Sequence, residues 1–183
     1  YAIEAVNSWQ VAFEKAGFKN AIYALPEPTE KENTEYAVHD ARYSVISYKA
    51  SPVPNAYGPL ITDPRSGEIL ASHIAIFHTV ADLLQMWYFV MCSPSDPEAR
   101  AYPVSENLIG KLVGTVVAHE VGHTLGLRHN FLGSSHYPVD SLRNNKFIDK
   151  NGLGASIMDY QRFNYIAQPQ DKITQQNLFP RIG

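Results

Sequence analysis

The chain has 183 residues, 45% of them hydrophobic and 18% charged, with a net charge of −3. Those proportions belong to one globular domain with a core of its own, and they give no electrostatic case for nucleic acid or an anionic membrane as partner. The single cysteine, Cys92, excludes an internal disulfide, and no run approaches the roughly 20 apolar positions of a membrane span.

In chain order, Ile3, Val6, Trp9 and Phe13 recur at helical steps and Gly17 follows, so the spacing predicts one amphipathic helix with its stop. The chain thus opens already in helical rhythm, without an initiator methionine or a signal peptide, which points to a processed piece of a longer protein. Asn20 to Leu25 reads as a short strand, residues 28–40 as a solvated acidic loop, and Ala41 to Ala50 as a strand with alternating β-formers. A loop rich in Pro and Gly follows. It ends in the turn signal "DPRSGE" before a strand from Ile69 to Phe77. Thr79 to Met91 is apolar nearly all round and predicts a mostly buried helix, which makes Cys92 an inert buried thiol. Ser105 is placed to cap a helix running through Leu125, and beyond Gly126 the chain reads as irregular, with a short helix near Lys172 to Leu178.

Inside that capped helix lies "HEVGHTLGLRH", from His119 to His129. His119 and His123 are four residues apart, so their rings leave one helix face about 6 Å apart in rise and can pinch one ion. A continued helix would carry His129 about 15 Å from His119. The helix must therefore stop, and Gly126 is the residue free to turn the chain left-handed and return the third imidazole. Glu120 flanks the same face, placed to take a proton from a water on the metal without binding the metal itself. Three histidines leave a fourth position open, as in catalytic zinc sites. At this composition the five fixed positions would coincide by chance on the order of once in tens of thousands of such chains.

The run resembles the H-E-x-x-H-x-x-G-x-x-H signature of the metzincin clan of zinc metallopeptidases. "SIMDY", Ser156 to Tyr160, is similar to that clan's Met-turn. "DPRSGEIL" and "LRHNF" resemble segments of zinc peptidases from gut and environmental Bacteroidetes. The resemblance implies an α+β fold: a twisted mixed sheet with a substrate-binding edge strand, a zinc helix and a Met-turn. It implies one catalytic domain over 1–183, with 1–126 as the N-terminal subdomain and 127–183 as the C-terminal one. It also implies a Zn2+ ion on His119, His123 and His129, Glu120 as the general base, Met158 as an apolar floor and Tyr160 steadying the oxyanion. The edge-strand position falls on Ile69 to Phe77, so Ala71, Ser72 and His73 become the residues expected to pair with an extended protein or peptide substrate. A secreted, periplasmic or cell-envelope location goes with the family. Two other readings use the same residues: a zinc hydrolase of a non-peptide amide, and a binding module without turnover.

Overall fold

The computed structural model describes residues 1–183. Its first helical segment is two helices, α1 (Ala2–Asn7) and α2 (Gln10–Lys15), where the periodicity predicts one. At the break the Ser8 hydroxyl donates to the Ala5 carbonyl at 2.7 Å, and the Trp9 indole donates to the Ala118 carbonyl at 3.0 Å. The bend is thus tied to a long-range contact that no local pattern encodes. Gly17, at φ +93°, ends the segment. Residues 20–25 form no strand. Ile22 and Ala24 pack on the core, but the segment has no ladder partner, and the Ala24 N–H donates to Asn7 Oδ1 at 3.1 Å instead.

The sheet is mixed. Strand β1 (Val45–Lys49) runs parallel to β4 (Ile69–Phe77), with Val45 opposite His73 and Lys49 opposite Phe77. On the other side of β4 lie β2 (Ala56–Tyr57) and β3 (Leu60–Thr62), both antiparallel to it. Their partners, Ile76 and Ala75 for β2 and Ser72 to Ile69 for β3, make them one broken strand interrupted at Gly58 and Pro59. Pro59 has no N–H to give to a ladder, which suits it to such a break. The predicted "DPRSGE" turn joins β3 to β4, with Gly67 at φ +77° and its N–H donating to the Asp63 carbonyl at 2.8 Å.

This topology corrects the expected edge strand. β4 is the central strand, so Ala71 and Ser72 are buried and pair across β3, while His73 pairs with β1. The reason lies in the segment 52–62, whose prolines and glycine read as a loop while its backbone still forms ladder bonds. The open edge on that side of the sheet belongs to β2–β3.

Helix α3 (Val80–Cys92) leaves β4 and packs on α4 (Glu106–Thr124). The expectation that α3 is mostly buried holds for one face only. Val80, Leu84, Tyr88 and Cys92 are buried, whereas Met86, Phe89 and Val90 are exposed. A period of 3.6 can bury only the stripe that meets a neighbour, whatever the composition of the rest. Burial pushes the Cys92 thiol up to about 12, which keeps it protonated and inert.

The C-terminal part contains a helix that the pattern did not predict, α5 (Asn145–Asn151). Asn144 caps it through the Phe147 N–H, and Gly152 stops it at φ +78°. The predicted helix near residue 175 is a single 3-10 turn, Gln175–Leu178. One cluster of 24 buried residues runs from Ala5 to Leu178, so α1, the sheet, α3, α4 and the C-terminal segment share a core. No helix is long and apolar enough to cross a membrane.

Candidate metal centre

α4 begins where Ser105 Oγ accepts the Leu108 N–H at 3.1 Å, a cap worth about 1 kcal/mol. It ends in a Schellman arrangement. The Gly126 N–H donates to the His123 carbonyl at 2.9 Å and the Leu127 N–H to the Gly122 carbonyl at 3.0 Å, with Gly126 at φ +86°. The chain then doubles back, and the His129 ring comes to 4.7 Å from His123 and 5.3 Å from His119, centroid to centroid. The three histidines present nitrogens that all lie within 4.8 Å of one another.

Two of those rings are oriented by carbonyl oxygens. His119 Nδ1 lies 2.8 Å from the Ile157 carbonyl, and His123 Nδ1 lies 2.9 Å from the Leu127 carbonyl. A carbonyl can only accept, so each Nδ1 carries the proton and each Nε2 keeps its lone pair for a metal. His123 Nε2 is 3.1 Å from His129 Nε2. Two imidazole nitrogens on one tetrahedral zinc would be about 3.4 Å apart, so this pair already has the spacing of co-ligands. Burial, aided by the neighbouring histidines and the Arg162 charge, pushes His119 down to about 4 against the carbonyl bond that opposes it. His129 is lowered too, by desolvation first and then by His123 and Arg162. Imidazoles whose Nδ1 atoms are engaged by carbonyls, as in His119 and His123, fit a divalent zinc ion.

Glu120 is buried, 8% exposed, on the flank of the cluster. Burial raises its carboxyl above the ordinary carboxylate range, opposed by the His123 charge and by the Gly58 backbone that faces it. Gly58 sits at the break between β2 and β3. A Cβ there would lie 2.8 Å from the Glu120 carbonyl oxygen and 3.4 Å from Glu120 Oε2. Only a residue without a side chain lets the edge strand approach the carboxylate so closely.

The floor of the cluster is the turn from Ser156 to Asp159, closed by Asp159 N–H to the Ser156 carbonyl at 3.3 Å. The Ile157 carbonyl holds His119, and the Met158 carbonyl accepts the Asn130 N–H at 3.0 Å, beside His129. Met158 is buried against Gly122, where a Cβ would overlap its sulfur. Asp159, also buried, accepts the Ser134 N–H at 2.6 Å and so pins the loop beyond His129. The Tyr160 ring stacks on His119 at 5.6 Å and packs at a tilt on His129 at 4.3 Å, centroid to centroid.

Thus His119, His123, His129, Glu120, Met158 and Tyr160 come together around the end that Gly126 makes, and Ala71, Ser72 and His73 do not join them as an open edge. Sequence reasoning missed Gly58, Asp159 and Arg162. "YGP" at Tyr57 to Pro59 and the acidic neighbour of Met158 carried the only local signals, and both read equally well as loop residues.

Residues 101–183 match a family described as Met-zincin, a stretch that takes in α4, all three histidines and the 156–159 turn. Comparisons with curated proteins and with solved structures returned no match.

Proposed function

We propose that the chain is a zinc-dependent endopeptidase, a reading supported by the match of residues 101–183 to a Met-zincin family and by three histidines that cluster on one point. The observation that carries this reading is the convergence of His119, His123 and His129, with two Nδ1 atoms engaged by carbonyls and the Glu120 carboxylate alongside. His119, His123 and His129 would hold a zinc ion, which would supply Lewis acidity to a carbonyl and to a water molecule.

Every other part is supplied by the chain. An extended peptide pairs main chain to main chain with the open β2–β3 edge, a mode that reads substrates without demanding one sequence. Gly58 favours that edge over any other, because it brings the strand against Glu120. Glu120 takes a proton from the attacking water on one carboxylate oxygen and hands it to the leaving amide nitrogen. Its raised carboxyl makes it a stronger base toward the attacking water than an ordinary carboxylate. Tyr160, stacked on the ligand rings, offers a hydroxyl to the negative charge that develops on the carbonyl oxygen. Met158 supports the ligands from below by filling the space beside Gly122.

The test is metal analysis of the purified chain joined to cleavage of a peptide library. One zinc per chain is expected, with cleavage abolished by a chelator and restored by zinc. His129→Ala should lose the metal. Glu120→Gln should keep it while the rate falls about 10²–10⁴-fold. A Glu120→Gln variant as active as the parent would overturn the base assignment, and zinc-dependent turnover of simple amides without peptide cleavage would favour the amide-hydrolase reading.

A further inference from the structure

A cavity of about 130 Å³ opens beside His119 and Glu120, between α3 and α4. Its walls include Leu83, Leu84 and Trp87 from α3 and Val116 from α4, with Ile157 at one end. One cation, Arg162, lines this space. Arg162 is half-buried, with its guanidinium 4.0 Å from the Trp87 ring centroid and 4.5 Å from that of Tyr160. Its backbone is left-handed, φ +59°, a conformation that a long side chain adopts only where its surroundings hold it.

Arg162 has no carboxylate of its own. The five ion pairs of the chain involve other residues, and no side-chain hydrogen bond from its guanidinium is present. The two other charged residues lining the cavity are committed elsewhere: Asp159 accepts from Ser134, and Glu120 faces Gly58 and His123. Two aromatic faces stabilise the cation and fix its plane, but they leave the guanidinium donors unmatched. A half-buried guanidinium with free donors pairs best with a carboxylate, bidentate and charge-assisted.

We propose that Arg162 determines specificity by binding a substrate carboxylate on the amine side of the cleaved bond. This rests on the peptidase reading, since Glu120 returns its proton to the leaving amine and so assigns the adjoining cavity to the residue that carries that amine. The carboxylate belongs either to an Asp or Glu side chain or to the end of the substrate chain. Paired substrates separate the two.

Cleavage is measured on peptides that differ only at the residue after the scissile bond, Glu against Gln and Asp against Asn, each with an amidated or a free C-terminus. The acidic member should be cleaved with a kcat/KM higher by roughly tenfold or more. Arg162→Gln should abolish the difference, and Arg162→Lys, which keeps the charge but not the fork, should shrink it. If only peptides ending at that residue with a free carboxylate are favoured, the carboxylate is the chain end. A second measurement needs neither metal nor turnover. Glu-Ala amide titrated into the metal-free chain should change the fluorescence of Trp87 saturably, Gln-Ala amide should not, and Arg162→Gln should remove the response. Equal cleavage of the Glu and Gln peptides, or a preference that survives in a folded Arg162→Gln variant, overturns the proposal and leaves the peptidase reading intact. Binding of Glu-Ala amide that depends on Arg162, without cleavage of any peptide, overturns the peptidase reading and keeps the carboxylate site.

Discussion

Met158 packs against Gly122 so closely that a single added methyl on the helix would overlap its sulfur. This contact joins α4, which carries His119 and His123, to the turn whose Ile157 carbonyl orients His119. The histidine cluster is therefore held by two segments separated by more than thirty residues of chain, pressed together through one absent side chain.

Gly122→Ala should be destabilising by overpacking, by about 1–3 kcal/mol. Thermal denaturation of the metal-free protein would register this as a Tm lowered by about 2–4 °C for each kcal/mol. Adding Met158→Ala to it should cost less than the sum of the two single changes, because the clash and the cavity relieve each other. Strict additivity would show that the two residues do not share a site.

Gly58→Ala should leave zinc content unchanged and lower kcat/KM. The new Cβ would lie 2.8 Å from the Glu120 carbonyl oxygen, so the strand must retreat from the carboxylate. A shift of even an ångström at a reacting centre can reduce rate about 100-fold. Steady-state kinetics beside metal analysis decide the matter, and an unchanged kcat/KM would separate this edge from catalysis.

Tyr160→Phe keeps the ring that stacks on His119 and removes only the hydroxyl. Metal content and Tm should hold, while kcat falls by at least about tenfold with KM little changed, the pattern of an interaction made in the transition state alone. A fall in zinc content instead would make the residue a support for the ligands.

The pH dependence of stability follows from His119. Burial holds it at about 4 in the folded chain, below the ordinary histidine value of 6.5. Above pH 6.5 the ring is neutral in folded and unfolded chains alike, so it adds no slope. As pH falls from 6.5 toward 4 only the unfolded chain takes the proton, and folding stability drops. His129 acts in the same direction, whereas Glu120, raised by burial, weakens the fold as pH rises through its folded value. Denaturant titrations of the chelator-treated protein should therefore show the parent losing stability relative to His119→Asn between pH 6.5 and 4, and no such trend above pH 7. Parallel curves across that window would mean the ring is as accessible to protons in the folded chain as in the unfolded one.

The convergence of the three imidazoles was legible in the residues because it is local. Helix spacing alone brings His119 and His123 to one face, and the left-handed freedom of Gly126 returns His129 within a few residues. Ser105 is just as local, since its hydroxyl reaches the third amide beyond it. The strand pairing was not legible. Pro and Gly between Ala56 and Thr62 hide a strand whose existence depends on β4 lying beside it, and the predicted edge became the centre of the sheet. Nor could periodicity tell which face of α3 would find a partner, or that Asn144 caps a helix in a stretch with no apolar rhythm.

The 119–129 run alone determined that three imidazoles and a carboxylate could gather at the end of one helix, because backbone geometry over eleven residues follows from residue type. Tertiary packing decided everything that touches them from elsewhere: the Ile157 carbonyl on His119, Gly58 on Glu120, and Arg162 between Trp87 and Tyr160. Those contacts join segments far apart along the chain, and their register depends on how the core closes as a whole rather than on any short pattern.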